Sequence, residues 1–134
     1  MAGRSVGPVA VTGRHRSRDR RIRPLIADQP VEIFGVACLS TRYHLLAWHL
    51  LSRGTRVSTP VSMPDVFLPA CLTPGTTGLM VVHNHPSGDP QPSQQDIKLT
   101  REIVEACRHL RISVHDHVII GTSGHSSLRA MGLI

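Results

Sequence analysis

An α/β domain with a mixed β-sheet flanked by helices is the fold class this sequence predicts, on three observations. Apolar runs of strand length alternate with two stretches of helical character, the pattern of helices laid on a sheet. Apolar residues make up 40% of the chain, enough to build a core. The 134 residues give room for one compact domain and too little for two.

The elements follow in order. Val31 to Leu39 (VEIFGVACL) is rich in β-branched and apolar residues and reads as a buried strand. After a Ser40-Thr41-Arg42 turn, Tyr43 to Leu51 (YHLLAWHLL) reads as the second strand of a hairpin, and Gly54 breaks the chain. Ser62-Met63-Pro64-Asp65 predicts a helix start: Ser at the N-cap, Pro in the first turn and an acid three residues on. That helix runs to about Leu72, where Thr73-Pro74-Gly75 ends it.

Leu79 to His83 (LMVVH) is a short buried strand, followed by a loop, Asn84 to Pro92, with three prolines. Ser93-Gln94-Gln95-Asp96 opens the longest helix. Its predicted apolar stripe is Ile97, Val104, Cys107 and Leu110, supported by Ile103. Ile112 to Ile120 (ISVHDHVII) is a further strand, ended by Gly121. There are no internal repeats.

Composition excludes several classes. Aromatics are 3% of the chain, which argues against a stacking platform for single-stranded nucleic acid. No stretch approaches the roughly 20 apolar residues of a membrane span. No apolar segment follows the first basic residues, so neither a secretory signal nor a membrane location is expected, and the cytoplasm is. Cys38, Cys71 and Cys107 are odd in number and form no Cys-x-x-Cys pair. They read as small buried side chains in a reducing compartment rather than as zinc thiolates or disulfides.

The net charge of +6 at pH 7 is unevenly placed. Residues 1–24 carry seven Arg against one Asp and hold all of it; the eight basic and eight acidic residues of 25–134 cancel. The first 24 residues are read as an Arg-rich tail, disordered in isolation, ahead of a folded domain at 25–134. Such a tail suits contact with phosphate backbones through counterion release. A solvated extension or a targeting segment accounts for the same composition.

The residues that carry chemistry lie between His83 and Asp96. At a strand end, His83 and His85 share a face, with Cα atoms roughly 6.5 Å apart, so both imidazoles can close on one ion. Asp96, in the first turn of the next helix, is placed to reach back to them. Two His and one carboxylate would leave a fourth tetrahedral position for water, the open arrangement of a catalytic zinc site. Each part also has a structural reading: paired histidines occur at strand edges, and Ser93-x-x-Asp96 is a helix-capping pattern.

The string HNHPSGDPQPSQQDI, with His83-x-His85, Ser93 and Asp96 at their spacings, resembles the JAMM motif of MPN/JAB-domain metalloproteases, and most closely the RadC-like branch. VEIFGVACL followed by Gly54-Thr55, and Asp116-His117 before VIIG, agree with it. The resemblance covers roughly residues 30–134. It implies a single MPN/JAB domain of cytidine-deaminase-like architecture that binds one zinc per chain through His83, His85 and Asp96. It further implies that Glu32 activates the bound water, that Ser93 supports the oxyanion, and that the substrate is a peptide or protein. Glu32 also stands out because an unpaired carboxylate inside an apolar strand is costly; the other glutamates, Glu102 and Glu105, sit on a helix face suited to solvent. Asp116 and His117 are candidates for supporting the ligands, and His49 reads as a structural histidine.

The leading expectation is therefore a zinc metallopeptidase or isopeptidase. The alternative is a DNA-repair-associated accessory protein, with the zinc domain as scaffold and the Arg-rich tail on nucleic acid; the repair association comes from the family name alone. A zinc deaminase is disfavoured, because the Pro-Cys-x-x-Cys segment of that class is absent.

Because the whole net charge lies in residues 1–24, a chain beginning at Leu25 is expected to lose the salt-sensitive DNA affinity of the full chain. A salt titration of DNA binding by both chains checks this, and equal affinity overturns it.

Overall fold

The computed structural model describes residue 26, residues 29–54, residues 61–122 and residues 124–134. The Arg-rich tail lies outside them. The order is β1 (Glu32–Leu39), β2 (Leu45–Gly54), α1 (Met63–Leu72), β3 (Gly78–Asn84), α2 (Gln94–His109), β4 (Ser113–Ile120) and β5 (His125–Ser127). The strands form one mixed sheet in the order β2-β1-β3-β4-β5. β1 pairs antiparallel with both β2 and β3, β3 and β4 are parallel across the α2 crossover, and β5 closes the far edge antiparallel to β4. No helix among the described residues is long and apolar enough to cross a membrane.

Strand alternation divides the sheet into two apolar faces. Phe34, Val36, Cys38, Leu79, Val81 and Val114 pack with Val66 and Ala70 of α1 and Ile103 and Cys107 of α2. The other face gathers Ile33, Ala37, Leu39, Leu45, Trp48, Met80, Val82 and Ile120 with Ile26. β1 and β3 carry apolar side chains on both faces, which is why they read as continuous apolar runs rather than as alternating ones.

Several sequence expectations shift. Tyr43 is not the first residue of β2: it sits in the hairpin loop at φ 61. There its N–H donates to the Ser40 carbonyl at 2.8 Å, and Ser40 N–H donates to the His44 carbonyl at 3.0 Å. Ser62 is the N-cap of α1, but its side chain makes no capping hydrogen bond, so that helix rests on Pro64 in its first turn and on the burial of Val66, Pro69 and Ala70. Cys71 is exposed, whereas Cys38 and Cys107 are buried as expected. Burial pushes the Cys107 thiol up to about 11, which keeps it protonated.

The buried stripe of α2 keeps Ile103 and Cys107 of the predicted one and departs from it at both ends. It runs through Asp96, Thr100, Ile103 and Cys107, while Leu110 lies outside the helix and 48% exposed. The two polar members sit in the first half of the helix, where the sheet opposite is polar as well. Glu102 and Glu105 face solvent.

Gly35 allows close packing on the second face. A Cβ there would fall on the Trp48 ring and within 2.9 Å of the His49 carbonyl oxygen. Gly35→Ala is therefore expected to cost about 1–3 kcal/mol through overpacking. Thermal unfolding checks this: a melting temperature lowered by several degrees is the expected result, and an unchanged one overturns it.

Candidate metal centre

The centre forms where β3 ends and α2 begins. His83 is the last-but-one residue of β3, and Phe34 lies opposite it on β1. Continuing that antiparallel register sets Glu32 abreast of His85. His85 is one residue past the strand, yet its N–H still donates to the Ile120 carbonyl at 2.9 Å, so it keeps strand geometry beside β4. The ligand atoms of Glu32, His83 and His85 all lie within 4.8 Å of one another, a group able to hold a metal ion.

Asp96 enters from the helix side. Its Oδ1 is 3.4 Å from His83 Nε2 and its Oδ2 is 3.2 Å from His85 Nε2. The capping box predicted for this helix is formed: Ser93 Oγ accepts the Asp96 N–H at 3.0 Å, and Asp96 Oδ2 accepts the Ser93 N–H at 2.8 Å. Ser93 is exposed at the helix N-cap. Burial raises the Asp96 pKa, but the His83 and His85 imidazoles against the carboxyl outweigh it and hold it well below the usual carboxylate range. Asp96 is therefore an anion.

The proton of the His85 imidazole is committed away from the cluster. His85 Nδ1 lies 2.9 Å from the Asp89 carbonyl, which only accepts, so Nδ1 carries the proton. Gly88, at φ 93, makes that return possible: the loop doubles back through Gly88 N–H to the His85 carbonyl at 2.9 Å. His83 Nδ1 faces His117 Nε2 at 2.7 Å. Burial pushes the His117 pKa well below the ordinary imidazole value, so His117 is neutral.

The two Nε2 atoms that remain stand 3.0 Å apart, with the Asp96 carboxylate beside both. Lone pairs at that separation repel unless a proton or a cation lies between them. The donor set thus fits a metal ion: two imidazole nitrogens and one or two carboxylates, already aimed at a common point. The hydrogen bond with Asp96 raises the His85 pKa more than burial lowers it, which is the proton's version of the same requirement.

Asp116 does not reach this cluster. It sits on the opposite face of β4 from His117, where its carboxylate accepts the backbone N–H of His117 at 2.7 Å and of Arg129 at 3.1 Å, and the Ser127 hydroxyl. It ties β5 and the C-terminal segment to the sheet. His49 lies 3.5 Å from the Thr73 hydroxyl, away from the site.

Two residues that sequence reasoning passed over belong here. Thr100, fully buried, bonds His117 from the helix. Asn84, between the two histidines, points to the other face. Its Oδ1 accepts the Ile33 N–H at 2.5 Å and its Nδ2 donates to the Val31 carbonyl at 3.0 Å, bracketing Glu32 on both sides. The signal available for Asn84 was the alternation of a strand: a residue between two site histidines must face the other way. For Thr100 it was the four-residue step from Asp96 along one helix face.

Sheet and site together define a class, an α/β domain with a candidate metal centre at the carboxyl end of a central strand. The family model of the RadC-like JAB domain matches residues 16–133, and the chain belongs to that family. The match begins inside the Arg-rich segment.

Proton and metal compete for one space, which sets a pH dependence. The raised His85 pKa means its stabilisation of the metal-free protein is fully present below the unfolded value of about 6.5 and is lost as pH rises through the raised folded value. Metal-free protein is therefore expected to lose melting temperature as pH rises from 5.5 to about 8. One equivalent of Zn²⁺ should restore more at the higher pH, and a protein with both His83→Ala and His85→Ala should show no such gain. An equal metal-induced shift at both pH values overturns this reading.

Proposed function

We propose that this protein is a zinc-dependent hydrolase of amide bonds, a metallopeptidase or isopeptidase acting on a peptide or protein. The observation that carries this reading is the meeting of Glu32 with the His83–His85 pair and the Asp96 carboxylate. His83, His85 and Asp96 hold the ion. Their separations of 3.0, 3.2 and 3.4 Å support zinc, since ligand distances of about 2.0–2.1 Å imply tetrahedral edges of about 3.3 Å. Bound there, zinc supplies Lewis acidity toward a carbonyl and lowers the pKa of a water toward about 7.

The chain's own residues do the rest. Glu32 lies at the start of β1 and is only partly buried, so its carboxylate can take a proton from water and return it to the leaving amine. Ser93 Oγ accepts the Asp96 N–H, which leaves its hydroxyl proton free to be given to an oxyanion at the mouth of the site. Asn84, holding the backbone on both sides of Glu32, keeps that carboxylate from drifting out of line with the histidines.

A second role rests on a separate observation, the confinement of the whole net charge to residues 1–24. That segment serves as a non-specific nucleic-acid contact, which would bring the hydrolase to DNA-bound substrates.

Glu32→Gln is nearly isosteric and is expected to retain one zinc while lowering cleavage in a peptide-library screen by about 10²–10⁴-fold. Near-normal cleavage removes Glu32 as the base and with it the peptidase reading. Ser93→Ala should show two separable effects: about 1 kcal/mol less stability from the lost cap, and slower turnover in protein that stays folded. Metal analysis, melting curves and initial rates on the same preparations distinguish them.

A further inference from the structure

We propose that Thr100 and His117 are positioning residues for the metal centre: acting in series, they force His83 to present a bare Nε2 to the ion. The inference rests on a metal occupying the cluster and not on the reaction performed there.

The argument runs through three short contacts, each with one permitted direction. Thr100 Oγ lies 2.6 Å from the Asp96 carbonyl oxygen. A carbonyl only accepts, so the Thr100 hydroxyl proton points at it. Thr100 Oγ also lies 2.5 Å from His117 Nδ1. With its own proton committed, the hydroxyl accepts here, and His117 carries its proton on Nδ1. His117 Nε2 is then bare. It faces His83 Nδ1 at 2.7 Å, so His83 carries its proton on Nδ1 and its Nε2 is left as a lone pair. That Nε2 is the atom 3.0 Å from His85 Nε2 and 3.4 Å from Asp96 Oδ1.

The opposite sense of the relay shows what Thr100 decides. Were its proton turned toward His117 Nδ1, the Asp96 carbonyl would face an oxygen lone pair. His117 would then donate from Nε2, and His83 would accept on Nδ1 and carry its proton on Nε2. That N–H would point into the cluster and fill the space of the ion. A helix carbonyl therefore selects the tautomer of a histidine two residues removed along the relay.

Fold geometry makes the relay possible. Asp96 and Thr100 are one turn apart on α2, a rise of about 6 Å. On the sheet, His117 pairs with Val81 and Ile119 pairs with His83, so the two histidines are offset by one two-residue step of about 6.6 Å. The two repeats nearly match, so the upper pair, Asp96 and His83, meets at the ion, and the lower pair, Thr100 and His117, meets beneath it. Asp96 serves both levels: its carboxylate faces the ion and its carbonyl anchors the relay. Thr100 and His117 are both fully buried, so water does not compete for these bonds.

Thr100→Val keeps the shape and removes the hydroxyl. It is expected to weaken Zn²⁺ or Co²⁺ binding by about 10–100-fold, as loss of an outer partner of a metal-bound His does. Thr100→Ser, which keeps the hydroxyl, should stay near the wild type. Metal affinity is read by chelator competition, with the melting temperature confirming that each variant is folded. A Thr100→Val protein that binds metal as tightly as the wild type overturns the proposal, as does a Thr100→Ser protein as weak as Thr100→Val. Long-range ¹H–¹⁵N correlation of the imidazole nitrogens in the full wild-type chain at pH 8 tests it without any variant. Proton on Nδ1 of both His83 and His117 is expected; proton on Nε2 of either overturns it. A chain that passes both tests yet cleaves no peptide would sink the hydrolase reading and leave this one standing.

Discussion

Two imidazole nitrogens 3.0 Å apart, with their ring protons directed elsewhere, are the constraint on which this site depends. Such a pair is repulsive by itself. It becomes favourable only with a proton or a cation between its members, and the Asp96 carboxylate at 3.2 and 3.4 Å adds negative charge to the same point. The cluster is thus held in readiness for positive charge by bonds made outside it. Among the described residues, the buried polar side chains are His83, Asn84, Asp96, Thr100, Asp116 and His117, and all but Asp116 serve this end of the sheet. Buried polar groups must be partnered: His83, Asp96, Thr100 and His117 partner one another, and Asn84 takes the backbone on either side of Glu32.

The fold supplies those partners from separate directions. The loop from Asn84 to Pro92 returns the Asp89 carbonyl to His85, and it is pressed against the end of β4, where Gly121 has no room for a side chain beside the Gly88 carbonyl. The parallel strand β4 brings His117 beneath His83. Antiparallel β1 brings Glu32 level with His85, and Asn84 stitches the backbone around that glutamate from the other face. Alternation along β3 is what allows His83, Asn84 and His85 to act on both faces at once: two side chains toward the ion and one toward the strand that carries the base.

Helix α2 shows how one residue can join packing to chemistry. Asp96 caps its own helix through Ser93, lies beside both imidazoles, and offers its carbonyl to Thr100. Its charge is stabilised in part by the N-terminal end of the helix, where unpaired N–H groups favour an anion. The carboxylate is therefore fixed by local helix geometry before any ion arrives, and preorganisation of that kind lowers the entropy lost on binding.

Much of this was legible in the sequence wherever the pattern is local. The strands announced themselves as apolar runs, the start of α2 as a capping box, and the His83, His85 and Asp96 set as spacing. Glu32 stood out as a carboxylate in an apolar strand. Tertiary structure alone decided the rest. The stripe of α2 was predicted by assuming that buried means apolar, but Thr100 and Asp96 are buried because the facing sheet offers them His117 and His83. Asn84 finds its partner Ile33 across 51 positions, and Asp116 turned from candidate ligand support to anchor of β5 because strand alternation points it to the opposite face. Periodicity and capping depend on residues a few positions apart, which a sequence displays. The partner of a buried polar group depends on which strand lies alongside and in what register, and only the folded sheet determines that.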